Sequence, residues 1–170
     1  MSGTFTATPH SRNKIREITN VIRSAFGLMN VKHFPIVQLI EIGLPQVFDR
    51  FNLEIVDNKE LPTQYAVAYP GENLIVVREE VYEGAISGVA RDRFTLAHEV
   101  GHFMLHQPAN ISLARNEKAI PSYINPEWQA NTFAGELLAP PHIIKGLTVP
   151  EITLMCGVSK TVAEIQLQSI

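Results

Sequence analysis

The stretch Arg91-Asp92-Arg93-Phe94-Thr95-Leu96-Ala97-His98-Glu99-Val100-Gly101-His102-Phe103-Met104-Leu105-His106 decides how this chain is read. Phe94, Ala97, Val100, Met104 and Leu105 recur at the spacing of a buried helical stripe. Asp92 is expected to cap the start, and Pro108 marks a stop just beyond. Within this helix lies His98-Glu99-Val100-Gly101-His102. Residues four apart on a helix differ by about 40° around the axis and ~6 Å along it. Both imidazoles can therefore reach one cation from the same side, and Glu99 can reach the position where a water would complete the coordination. That is the core of a zinc-dependent peptide hydrolysis site. Gly101 costs the helix about 1 kcal/mol against alanine; its missing side chain leaves room for another segment to approach.

Catalytic zinc usually takes three protein ligands and keeps one open position. His106 follows His102 by four residues but lies ~12 Å along the axis from His98. It is read as a helix-end histidine favoured by the dipole. A second helix is expected from Pro126 to Ala139, with Asn125 as N-cap, Pro126 in the first helical position and Pro140-Pro141 ending it. This helix carries two acids, Glu127 and Glu136, about 180° apart around the axis. Glu127 shares its face with Asn131, Ala134 and Leu138, a face suited to packing against the metal helix. Glu136 lies beside Gln129 and Thr132 and is read as a surface acid. Facing selects Glu127 as third ligand, although spacing alone leaves open a first-turn acid that merely complements the helix dipole.

Together, Arg93-Phe94-Thr95-Leu96-Ala97-His98-Glu99-Val100-Gly101-His102 and Glu127-Trp128-Gln129-Ala130-Asn131-Thr132-Phe133-Ala134-Gly135-Glu136-Leu137-Leu138-Ala139-Pro140 resemble the ImmA/IrrE family of metallopeptidases. The family pattern is close to RFTxAHExGHxxxH followed by ExxAxxFAxELLxP. The likeness runs over roughly residues 35–165, is dense only in these two blocks, and departs at Val100, where leucine is common. The resemblance implies His98, His102 and Glu127 as zinc ligands and Glu99 as general base. It also implies an α+β, mostly helical, zincin-like domain. The substrate it implies is a helix-turn-helix repressor of the XRE type, or an antitoxin, cut to relieve repression of mobile-element, phage, stress-response or toxin–antitoxin genes.

The rest of the chain fits a single domain. At 170 residues and 45% apolar it has enough material for a core. The net charge of −3, with no basic block, argues against direct nucleic-acid binding. A lone cysteine, Cys156, no signal-peptide pattern and no apolar run of membrane-spanning length read as a cytoplasmic protein without membrane attachment. Residues 1–12 are expected to be a flexible N-terminus, residues 13–148 the metallopeptidase domain, and residues 149–170 a helical segment packed on it.

Ile15, Ile18, Ile22 and Phe26 predict a helix over 13–26, ended by Gly27. Another is expected over 35–51, interrupted near Gly43-Leu44-Pro45. Residues 52–56, 65–69 and 74–77 read as strands, with Pro70-Gly71-Glu72-Asn73 as a turn. They would form a small, about three-stranded sheet beside the metal helix, its edge open to an extended peptide. Gly157 followed by Ser159 resembles the turn of a helix-turn-helix. Its single basic residue, Lys160, favours packing or a grip on a protein partner over DNA reading.

Zinc is the default ion for this N/O donor set, though manganese or iron would also fit. A second oxyanion donor is expected, with Tyr123, Tyr82 and His142 as unranked candidates. Arg93 is read as structural. No carboxylate stands out to orient the distal nitrogens of His98 and His102. Two other readings stay open: a metal-containing binding module that docks a repressor or antitoxin without cutting it, and a toxin acting on another target.

Overall fold

The computed structural model describes residues 4–114 and 119–170. Helix α1 (Arg12–Ala25) starts where the Ser11 side chain accepts the amide of Lys14 at 3.2 Å and ends before Gly27, whose φ of 68° few other residues adopt. Next come α2 (Ile36–Gln38), a wide π turn (Leu39–Gly43) and α3 (Leu44–Val47). Pro45 has no N–H to give Glu41, and the helix widens just ahead of it, with Leu44 donating to Leu39 instead. This is the interruption expected near Gly43-Leu44-Pro45.

Three strands follow the sequence reading closely: β2 (Asn52–Val56), β3 (Ala66–Tyr69) and β4 (Leu74–Arg78). Pro70–Glu72 turns the chain between β3 and β4, with Asn73 left-handed at φ 51°. The sheet order is β2-β4-β3, with β4 parallel to β2 and antiparallel to β3. Strand β3 is therefore an edge. Helix α4 (Glu79–Ile86) leads to α5 (Ala90–Leu105), which carries the two histidines. Helix α5 begins two residues before Asp92. That acid, expected as the cap, lies buried in the first turn instead, packed so closely on Gly84 that a Cβ there would sit 2.0 Å from its carboxylate.

Residues from Thr4 onward are not the flexible tail expected for residues 1–12. Thr4–Ala7 form β1, paired antiparallel with β5 (Ile111–Ala114), and the amides of Thr8 and His10 donate to Asn110 and Tyr123. The pairing joins short, unpatterned segments about a hundred residues apart, which no local periodicity marks.

Helix α6 (Pro126–Leu138) is capped as expected: the Asn125 side chain accepts the amides of Glu127 at 2.9 Å and Trp128 at 3.1 Å. Then come α7 (Pro141–Ile144), α8 (Val149–Cys156) with a Thr148/Glu151 capping box, and α9 (Lys160–Gln168) capped by Ser159. Residues Ile152, Cys156, Val158 and Ala163 of this last stretch are buried in the common core. Arg93 is structural, as read. From α5 it donates to the carbonyls of Phe34, Cys156 and Gly157 at 3.0–3.3 Å, tying the tail to that helix.

Glu136 is a correction: it is fully buried, not a surface acid. Its carboxylate accepts from Arg12 at 2.9 Å and from Arg16 at 2.8 and 3.1 Å. The helical-wheel geometry did turn it away from Glu127, but that side of α6 is covered by α1 and α9 rather than by water.

Helices α5 and α6 are pressed together at Gly101. A Cβ there would lie 3.1 Å from both the Cα of Ala130 and the Cβ of Phe133, and 3.2 Å from the Ala130 carbonyl oxygen. Because the obstacles are backbone and a fully buried ring, they have little freedom to yield. Gly101→Ala is therefore expected to lower stability by about 1–2 kcal/mol in thermal or denaturant unfolding, the ~1 kcal/mol helix-propensity gain being outweighed by overpacking. A variant more stable than the parent would show that the helices can part at no cost.

Candidate metal centre

Helix α5 presents His98 and His102 from successive turns, their Nε2 atoms 3.0 Å apart. The first turn of α6 brings Glu127 to them: its carboxylate oxygens lie 3.3 Å from His98 Nε2 and 3.2 Å from His102 Nε2. One donor atom from each of the three residues falls within 4.8 Å of the others. No lysine or arginine forms an ion pair with Glu127 among the described residues. Two imidazole nitrogens from half-buried side chains and one oxygen of the exposed Glu127 carboxylate match the donor set of an open zinc site. The same set admits manganese or iron.

The charge balance agrees. Burial alone would lower the pKa of His98, but Glu127, Glu99 and Asn131 together raise it, so this spot favours positive charge. The neighbouring side chains of His102 and His98, at 3.2 and 3.3 Å, hold Glu127 well below the ordinary carboxylate range. Glu99 is almost buried, and burial raises its pKa, against the lowering pull of His102, His98 and the Ala68 amide. Its Oε2 accepts that amide at 2.8 Å, which ties the metal helix to β3.

The distal ring nitrogens find amides and a third imidazole where a carboxylate was sought. His98 Nδ1 lies 2.9 Å from Asn131 Oδ1, and His102 Nδ1 lies 2.8 Å from His106 Nδ1. His106 Nε2 lies in turn 2.9 Å from Gln129 Oε1. His106 thus stands at the C-cap of α5, outside the three-residue cluster. It is buried, and burial pushes its pKa down to about 4, leaving the ring neutral. Gln129, placed by the helical wheel beside Glu136, reaches inward and is fully buried. Asn131 was legible as a neighbour of Glu127 on the same face. For His106 and Gln129 the available signal was the recurrence at four residues from His102 and a glutamine on an otherwise apolar helix.

None of the three candidate oxyanion donors lines the cleft that holds the cluster. Tyr82, on α4, donates its hydroxyl to Glu41. His142, on α7, contacts the Met29 carbonyl at 2.8 Å, and the Tyr123 side chain is half exposed. That cleft, about 440 Å³, is bordered instead by residues 64–68 and Pro70 along β3, with Thr95 and the metal residues opposite. Tyr65 stands on this border, its ring beneath the guanidinium groups of Arg78 and Arg91 at 4.8 and 5.6 Å. A larger cavity of about 540 Å³ lies next door between α5, α6 and α9 and shares Thr95, but it holds no such cluster.

The fold and cluster define a mixed α+β protein with a two-histidine, one-glutamate site on adjacent helices. The peptidase M78 family model, described as the IrrE N-terminal-like domain, matches residues 61–152, more than half of the chain, and the protein belongs to that family. It is also similar to a protein of Bacillus phage phi105 named uncharacterized immunity region protein 2. The two are 34% identical over 82 residues, 45% of this chain and 51% of the phage protein. The chain thus spans about half the length of that relative. No described helix is long and apolar enough to cross a membrane.

Metal analysis of the purified protein is expected to return one divalent ion per chain. His98→Ala and Glu127→Ala are each expected to lose it while keeping the fold by circular dichroism. Full metal content in either variant would remove that residue from the ligand set.

Proposed function

We propose that the protein is a zinc-dependent endopeptidase that cuts a helix-turn-helix repressor or antitoxin and so releases repression of its target genes. The observation that carries this reading is the convergence of His98, His102 and Glu127 beside a buried Glu99 in a cleft bordered by a sheet edge. Membership of a peptidase family supports the reaction class. The phage relative's name, an immunity region protein, supports the substrate class.

When bound, the ion supplies Lewis acidity, polarising the scissile carbonyl and making a water easier to deprotonate. Everything else falls to the chain. Glu99 accepts the proton from the attacking water and delivers it to the departing amine. Its raised pKa, caused mainly by burial, suits both halves of that task. The amide of Ala68 fixes one of its oxygens, leaving the other to handle the proton.

Strand β3 supplies the substrate's track. An extended peptide added to an edge strand is held by backbone hydrogen bonds whatever its sequence. Ala68 spends its N–H on Glu99, so the groups around Ala66, two residues earlier and on the same side of the strand, remain for the peptide.

Incubation with purified helix-turn-helix repressors encoded nearby tests the proposal. Fragments that vanish on adding a chelator are expected. Glu99→Gln should keep its metal and cleave about 10²–10⁴-fold more slowly. A stable complex with an intact partner, unaffected by metal, would make the protein a binding module instead.

A further inference from the structure

We infer that His106 and Gln129 form a proton-ordering relay that presents the bare Nε2 of His102 to the metal, anchored on the backbone of the N-terminal segment. The inference rests on the metal-site reading above and concerns residues that hold no ion themselves.

The hydrogen positions follow from the relay's far end. Gln129 Nε2 lies 2.8 Å from the carbonyl oxygen of Thr8 and 2.8 Å from that of Tyr123. Carbonyl oxygens only accept, so this amide nitrogen donates both of its hydrogens, and the orientation of the amide is settled. Oε1 of Gln129 must then accept, and the atom facing it at 2.9 Å is His106 Nε2. His106 therefore carries its hydrogen on Nε2. Its other nitrogen, Nδ1, is turned to His102, and of two ring nitrogens in hydrogen-bond contact only one carries the hydrogen between them, so a His102 that gives its Nε2 lone pair to an ion leaves Nδ1 of His106 bare. It faces Nδ1 of His102 at 2.8 Å. His102 must donate there, which leaves the lone pair of its Nε2 for the ion.

Each member is held in place. Gln129 is fully buried and His106 is 7% exposed, so water has little opportunity to substitute. Thr8 is fastened through its own amide to Asn110, directly after the β1–β5 pairing, and Tyr123 accepts a second hydrogen bond from the His10 amide. The N-terminal strand thus reaches the metal centre through four polar groups. His98 has no equivalent. Its partner Asn131 is exposed, and among the described residues no buried acceptors fix which end of that amide faces the ring. The two ligand histidines should therefore respond differently to loss of their supports.

The test uses the full chain, with zinc as the probe, in competition against a chromophoric chelator. His106→Leu keeps apolar bulk and removes the acceptor; His106→Asn offers an amide oxygen close to the lost Nδ1. Outer partners of this kind are worth roughly 10–100-fold in metal affinity. His106→Leu is expected to weaken zinc binding by that factor, His106→Asn to recover about tenfold, and Asn131→Ala to lose less than His106→Leu. In the zinc-loaded parent, proton–nitrogen correlations of the imidazole rings should show His106 protonated on Nε2 only. Overturning results are an unchanged affinity in His106→Leu, an Asn variant no better than the Leu variant, or a His106 hydrogen on Nδ1. The ring measurement needs no variant, so it decides the matter even where His106→Leu does not fold. Failure of the parent itself to bind zinc would bring down the metal-site reading; normal binding with insensitive His106 variants would bring down the relay alone.

Discussion

The close approach of α5 and α6 at Gly101 is the constraint on which the rest of this structure depends. With glycine on one helix and Ala130 on the other, the two backbones come near enough for the first turn of α6 to lie over the histidines of α5. A side chain at position 101 would widen the gap by the thickness of a methyl group, and Glu127 would then stand off from both imidazoles. The helix-propensity cost of glycine, about 1 kcal/mol, is the cost of that proximity. The fully buried side chains of Val100, Phe133, Ala134 and Leu137 make the same contact an apolar one, so the geometry of the His98–His102–Glu127 cluster is held by the core itself.

Several polar groups are built into that core with partners, while Arg23 Nε and Asn20 Oδ1 lack one among the described residues. Arg23 and Arg93 donate to backbone carbonyls at helix ends, while Glu136 takes two arginines from α1. Each would be costly alone, since an uncompensated buried charge destabilises by several kcal/mol. Arranged in this way they define which surfaces meet: α1 against α6, and the C-terminal helices against α5. The histidine–glutamine chain beside the candidate metal centre follows the same logic.

The cleft gains its two walls from different parts of the chain. One wall is α5; the other is β3, an edge strand joined to Glu99 through the Ala68 amide. Sheet and Glu99 carboxylate are thereby registered to one another, and under the proposed function a peptide laid along β3 would run past the His98–His102–Glu127 cluster at a set height. Tyr65, with arginines on its ring, gives that cleft an aromatic border.

The local code of this chain settled a good deal. Apolar spacing, the Asn125 and Ser159 caps and the Pro70–Asn73 turn placed α5, α6, α9 and the β3–β4 hairpin, because these signals act over a few residues. Helical periodicity likewise set His98 and His102 on one face and turned Glu127 and Glu136 apart. What covers each face was decided only in three dimensions. Glu136 met arginines rather than water because α1, more than a hundred residues earlier, lies over it. Thr4–Ala7 became a strand because β5 offered an unpaired edge. His106 and Gln129 became partners through hydrogen bonds that cross between helices. Periodicity specifies the direction in which a side chain leaves its own helix. Its neighbours, its solvation and its protonation follow from elements distant in sequence, and those depend on how the whole chain closes on itself.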